Sequence, residues 1–200
     1  MALKTKVKVG NITNLSDARY CAGMGVDMLG FKISNIEGKG IGSLKFKEIT
    51  DWISGPDFIV EINDVPNELL FEKYKVNLVE LPASLISYLP SLRRKQNFIL
   101  SLDLGGWKTH RQLLLSNRDR IKHLHITKVP VQQLNLVKSI VEEIASDFSV
   151  LINLDSEVQF LEEILTWPVA GIALNGSEEA SPGIKDYEHL STILEKLEVD

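Results

Sequence analysis

Cysteine is almost missing from this chain. Cys21 is the only one in 200 residues, which excludes an intramolecular disulfide framework and any metal site built from several thiolates. No apolar run approaches the roughly 20 residues that span a bilayer, and the opening MALKTKVKVG has no apolar signal core. An excess of basic charge is also missing. Lys and Arg number 22 against 27 Asp and Glu, for a formal net charge of −5. That gives no broad electrostatic case for a nucleic-acid or anionic-membrane partner. No linker, low-complexity stretch or sequence repeat divides residues 1–200, so a single cytoplasmic domain is the expectation. Nothing in the sequence calls for a cofactor, and oligomeric state is not readable from it.

What is present is alternation. Short runs rich in β-branched residues are expected as strands at 5–10, 27–34, 57–63, 76–81, 97–104, 120–127, 149–154 and 169–174. Between them lie amphipathic runs expected as helices. LSDARYCAGMG (15–25) has Ser16 as its cap, and PNELLFEKY (66–74) opens at Pro66. ASLISYLPSLRR (83–94) contains a proline, and WKTHRQLLLSN (107–117) and SEVQFLEEILTW (156–167) follow. The clearest is 130–146, with Leu134, Val137, Ile140, Val141 and Ile144 at helical spacing. Strict β–α alternation implies a parallel sheet. Eight units of about 25 residues imply an α/β protein closed into a single compact (β/α)8 TIM barrel. An open doubly wound sheet is the rival, but GNITNLSDA after the first strand has one glycine and is no dinucleotide loop.

A barrel of this kind carries its site at the C-terminal ends of the strands. Side chains alternate along a strand, and the layer under the helices is apolar, so polar strand-end residues should face the barrel mouth. That rule selects Lys8 with Gly10, Lys32, Glu61 with Asn63, Glu80, Ser101 with Asp103, His123 with His125, and Asn153. Glu61, Glu80, Asp103 and His125 are the acid–base candidates. Lys8, Asn11, Lys32, Asn63 and Asn153 are candidates for ligand binding. A buried ion network of Lys8 with Glu61 or Glu80 accounts for the same residues equally simply, and His123 reads as a satisfied interior histidine. The acids and His125 could ligate a divalent cation, but their spacing does not demand it. EGKGIGS (37–43) reads as a surface loop rather than a phosphate cradle, since it lacks the Gly-Lys-Ser/Thr ending. Cys21 reads as a core residue.

The tail GIALNGSEEASPGIKDYEHLSTILEKLE (171–198) resembles the C-terminus of the phosphoribosylanthranilate isomerase family, which ends in Asp-x-Ser-Ser-Gly-Val-Glu, then Pro-Gly-x-Lys-Asp and a helix. KVGNIT (8–13) resembles that family's opening Lys-Ile-Cys-Gly-Ile-Thr, and GVDMLGF (25–31) its Gly-Ala-Asp-x-x-Gly-Phe strand. VEINDVP (60–66) and VNLVELPAS (76–84) are similar to its third and fourth strands. The resemblance implies a (β/α)8 barrel and an Amadori rearrangement of an aminated ribose phosphate. That reaction needs a general acid for the ring oxygen and a general base for the C2 proton.

The resemblance also exposes what this chain lacks. The family's base, a cysteine, falls on Gly10. Its acid, an aspartate ending strand six, falls on His125 or Ile126, and side-chain alternation favours His125. The glycines that hold the phosphate are replaced by INLD (152–155) and LNGS (174–177), and no glycine occurs between Gly106 and Gly171. Gly176 and Ser177 alone are left as a partial cradle. The loop after strand six is KVPVQQL (128–134). Three readings follow: a divergent homologue with little or no family activity, a different enzyme on the same barrel, or a non-catalytic binding protein. The ligand implied by the resemblance is a small phosphorylated or otherwise anionic molecule. An open mouth with converging acids favours the second reading, and a filled mouth the third.

Overall fold

The computed structural model describes residues 2–34, 36, 39–92, 96–154, 158–176, 179–181, 184–185 and 188–199, with backbone only at 131, 179–181, 184–185 and 188–189. Eight parallel strands close into a barrel in sequence order. They are β1 (Lys6–Gly10), β2 (Met28–Ile33), β3 (Asp57–Ile62), β4 (Leu78–Pro82), β5 (Asn97–Leu102), β6 (Ile121–Ile126), β7 (Val150–Asn153) and β8 (Gly171–Asn175). β8 pairs with β1 over Lys6↔Gly171 to Gly10↔Asn175, which closes the ring. The chain ends meet at the base of the barrel, where Lys4 N–H donates to the Leu197 carbonyl and Val199 N–H to that of Ala2.

The crossovers are α1 (Leu15–Gly23), α2 (Ser43–Thr50), α3 (Glu68–Tyr74), a 3₁₀ helix over Ala83–Ser91, α4 (Leu104–Ser116), α5 (Leu134–Ala145), α6 (Leu161–Ile164) and α7 (Glu188–Leu197). Several starts differ from the sequence expectation, and caps explain them. Asn14, not Ser16, caps α1, its side chain accepting from Asp17 N–H at 2.9 Å. Asn67 caps α3, so that helix begins after Pro66 rather than at it. Asp103 accepts from Gly106 N–H at 2.8 Å, which starts α4 three residues before Trp107. Pro90 lies inside the 3₁₀ segment and supplies no N–H to an α-helical ladder. The run expected as one helix over 156–167 is a 3₁₀ turn at Val158–Phe160 followed by α6, with 155–157 outside the described residues. A hairpin of β9 (Glu179–Ser181) and β10 (Ile184–Lys185) within the connection from β8 to α7 had no counterpart in the pattern.

Alternation along the strands separates two interiors. One face packs under the helices, where Val7, Val9, Phe31, Val60, Val79, Leu100, Leu124, Ile126, Ile152 and Ile172 are fully buried. The other face fills the barrel. Met28, Ile59, Leu78, Ile99 and Leu151 form an apolar plug there, each burying side-chain area worth about 1.5–3 kcal/mol. The plug seals the middle of the barrel and leaves polar residues at both ends.

Candidate functional site

Above the plug, the inward positions carry charge. Lys8 (β1) is 2 % exposed and lies 2.6 Å from Glu61 Oε1 (β3) and 2.7 Å from Glu80 Oε2 (β4). Glu80 Oε1 in turn meets His125 Nδ1 (β6) at 2.7 Å. Four strands thus contribute one chain of contacts, Glu61–Lys8–Glu80–His125. Burial alone would push the Lys8 ammonium down, but the two carboxylates overcome it and hold Lys8 above the usual lysine range. Burial likewise works against an ionised Glu80, and Lys8 and His125 overcome it, holding this carboxyl below the usual range. An ionised carboxylate only accepts, so His125 Nδ1 carries the proton of their shared bond. His125 Nε2 is then an acceptor in the neutral ring. It is buried and has no protein partner among the described residues.

Glu61 lies where side chains would otherwise stand. A Cβ placed on Gly10 would come within 2.6 Å of Glu61 Oε1 and 3.1 Å of Asn175 Oδ1. One placed on Gly30 would come within 2.2 Å of the same oxygen and 3.1 Å of Gly10 Cα. Two glycines on neighbouring strands thus form the bed of one carboxylate. Its second oxygen accepts from Asn11 N–H at 3.3 Å. Asn11 has φ = 56°, the left-handed conformation that asparagine tolerates better than most residues.

Over this floor is a cavity of about 360 Å³. Lys8, Lys32, Glu61, Asn63, Glu80, Ser101, His125 and Asn153 line it, as strand alternation anticipates, together with Thr127 and Asn175. The last two were missed. Both follow from the alternation rule, Thr127 two residues beyond His125 and Asn175 two beyond Ala173. At the end of β6 the structure resolves the alternatives: His125 faces the cavity, and Ile126 lies in the helix-facing core.

Three expectations are corrected. Asp103 does not join the mouth; its carboxylate caps α4 and borders a separate groove of about 560 Å³ with Lys108, Lys128, Val129 and Leu136. His123 faces the opposite end of the barrel, where its Nδ1 meets Ser149 Oγ at 2.6 Å. Burial and the nearby Lys122 and Lys6 push its pKa down to about 4. Gly176 lies beside β1, but its N–H donates to the Gly10 carbonyl at 2.8 Å and is not turned toward a ligand. Leu154 N–H, at the end of β7, donates to the Ala173 carbonyl at 3.0 Å. Ser177 lies outside the described residues. In the glycine-rich loop, Gly40 and Ile41 fold back on β2, Ile41 N–H donating to the Lys32 carbonyl at 2.8 Å, while residues 37 and 38 lie outside the described residues. Among the described residues no group of three or more His, Cys, Asp or Glu side chains is placed to hold a metal ion, and no helix is long and apolar enough to cross a membrane.

Fold and site together define a (β/α)8 barrel with a small polar cavity at the C-terminal ends of its strands. Compared with protein-family models and with curated proteins, the sequence matches none. Solved structures do match over nearly the whole chain. Phosphoribosylanthranilate isomerase from Thermus thermophilus is 20% identical, with a TM-score of 0.70, covering 96% of this chain and 98% of that one. A phosphoribosylanthranilate isomerase in complex with reduced 1-(o-carboxyphenylamino)-1-deoxyribulose 5-phosphate is 17% identical, with a TM-score of 0.66, covering 96% and 97%. KGPDC from Streptococcus mutans is 13% identical, with a TM-score of 0.68, covering 98% and 99%. The chain shares the barrel fold of all three.

Proposed function

We propose that this protein is a divergent barrel of the phosphoribosylanthranilate isomerase type that binds a small molecule at its mouth and no longer performs that family's Amadori rearrangement. The observation that carries this reading is the position of Glu61. Its carboxylate fills the space into which a side chain at Gly10 would project, and Lys8 and Asn11 N–H hold it there. On this reading the position at which the resemblance puts the catalytic base is taken up by a fixed ion network and is not merely empty. Losing a positioned base lowers rate by about 10²–10⁴. Among the described residues at the ends of β7 and β8, the N–H groups of Leu154 and Gly176 are engaged within the protein and are not offered to a phosphate.

A second reading, a different small-molecule enzyme on the same barrel, draws support from the Glu80–His125 pair. A histidine on a cavity wall, oriented by a carboxylate and with its far nitrogen unpartnered among the described residues, suits a general base or acid. Asp103 has no part in it. The test of the first reading is restoration. The double variant Gly10→Cys/Glu61→Ala places a thiol at the resemblance's base position and clears the oxygen it would strike. Gly10→Cys alone is expected to stay inactive on phosphoribosylanthranilate. The double variant is expected to gain detectable turnover over wild type only if anchoring survives. Wild-type turnover at rates typical of enzymes, about 1–10³ s⁻¹, would refute the reading.

A further inference from the structure

Resting on the reading of the mouth as a small-molecule site, we infer that its ligand is an uncharged, hydroxyl-bearing molecule of sugar or polyol type that donates a hydrogen bond to His125 Nε2, and not a phosphate or carboxylate. The first ground is the state of that nitrogen. The His125 side chain is 8% exposed and its Nδ1 is committed to Glu80. Its Nε2 is buried with no protein partner among the described residues, on a side chain that lines the cavity. A buried acceptor left unpaired is costly, and a ligand O–H removes that cost on binding.

Charge supplies the second ground. The groups around that nitrogen are Glu61 and Glu80, both acids, against the single cation Lys8, which contacts both. Lys8 against the two carboxylates sums to −1, so an anion brought to this floor meets like charge at low effective dielectric. The other lining cation, Lys32, is exposed on the rim, where solvent and salt weaken its reach. The backbone supplies the third. Anion sites on such barrels use main-chain N–H groups at strand and helix ends. Among the described residues at the ends of β7 and β8, those of Leu154 and Gly176 donate to carbonyls of Ala173 and Gly10 instead. Asn63, Ser101, Thr127, Asn153 and Asn175 complete the wall. Amides and hydroxyls both donate and accept, which suits vicinal hydroxyls better than a phosphate's array of acceptors. At about 360 Å³ the cavity is of a size for a small ligand.

Glu80 is a positioning residue in this scheme. It fixes the tautomer that leaves Nε2 as an acceptor. The test uses matched probes that differ only in phosphate. Protein carrying ¹⁵N-labelled histidine is titrated with D-ribose, ribose 5-phosphate and inorganic phosphate, following the His125 ring nitrogens by NMR. In the free protein, Nδ1 should carry the proton and Nε2 should not. D-ribose should shift the Nε2 resonance, and ribose 5-phosphate should bind at least about tenfold more weakly. Inorganic phosphate should leave the resonance in place. His125→Gln should remove the responding resonance, which assigns it, and weaken ribose binding measured by calorimetry, and Lys108→Ala, in the neighbouring groove, should leave both unchanged. Glu80→Gln should loosen the tautomer in the spectrum and weaken ribose binding together, and it keeps the test decisive if His125→Gln does not fold. Equal or tighter binding of either phosphate species overturns the inference. So does a silent Nε2 with ribose up to its solubility limit. Tight ribose 5-phosphate binding without turnover of phosphoribosylanthranilate would overturn this inference and leave the proposed function standing. Turnover would overturn both, since that substrate carries a phosphate and a carboxylate.

Discussion

Lys8→Met removes the one cation that two buried carboxylates share. In the native protein its ammonium lies 2.6 Å from Glu61 and 2.7 Å from Glu80, and its side chain is 2% exposed. Methionine keeps most of the volume, so the change is chiefly electrostatic. Breaking a buried pair by deleting one partner costs about 3–5 kcal/mol, because the remaining charge is left uncompensated. For a domain of this size each kcal/mol moves the melting temperature by about 2–4 °C, so a fall of roughly 6–20 °C is expected. The loss should depend on pH with a definite sign. In the native protein Glu80 titrates below its ordinary value, so its contribution is present above the unfolded carboxyl pKa of about 4.3 and fades as pH falls through the lower folded value. Without Lys8, burial pushes the Glu80 carboxyl up, and the folded variant holds a proton that the unfolded chain releases. The deficit should therefore be larger at pH 8 than at pH 5. Adding Glu61→Gln and Glu80→Gln to Lys8→Met should recover much of the stability. Denaturant unfolding at both pH values measures all of this. A deficit under about 1 kcal/mol, or one equal at the two pH values, would refute the network as a charged structure.

Gly30→Ala should destabilise by about 1–3 kcal/mol, since its Cβ would lie 2.2 Å from Glu61 Oε1. The same change in a Glu61→Ala background should cost clearly less, a coupling that a double-mutant cycle reads directly. His123 is held neutral to about pH 4, so acidification between the ordinary histidine value near 6.5 and that point favours the unfolded state. Native stability should decline across that window, and His123→Gln should flatten the decline in urea titrations. Asp103→Ala should lose about 1 kcal/mol through its α4 cap while leaving every mouth property unchanged.

Strand alternation carried most of the site. The period-two rule turned Lys8, Lys32, Glu61, Asn63, Glu80, Ser101, His125 and Asn153 to the cavity because the opposite face of each strand is apolar and covered by helices. The rule erred at strand ends. Asp103 is the residue after β5, where the chain has left the sheet and a helix N-terminus offers its own N–H groups to a carboxylate. His123 obeys alternation but lies below the apolar plug, and depth along a strand is set by the barrel's stagger, which sequence spacing does not reveal. The role of Gly10 was half legible. Its lack of a side chain was plain, but that Glu61 fills the space depends on three strands meeting. The helix-like patterns at 83–94 and 156–167 overstated regular helix, since apolar spacing does not distinguish an α-helix from a 3₁₀ turn.

The measurement that bears most directly on the account is a single-turnover experiment with wild-type protein in excess over freshly generated phosphoribosylanthranilate, followed by loss of its anthranilate fluorescence. The account predicts decay at the rate of the buffer control, unchanged by His125→Ala. Decay well above that control, abolished by His125→Ala, would contradict it and would make His125 a working catalytic group.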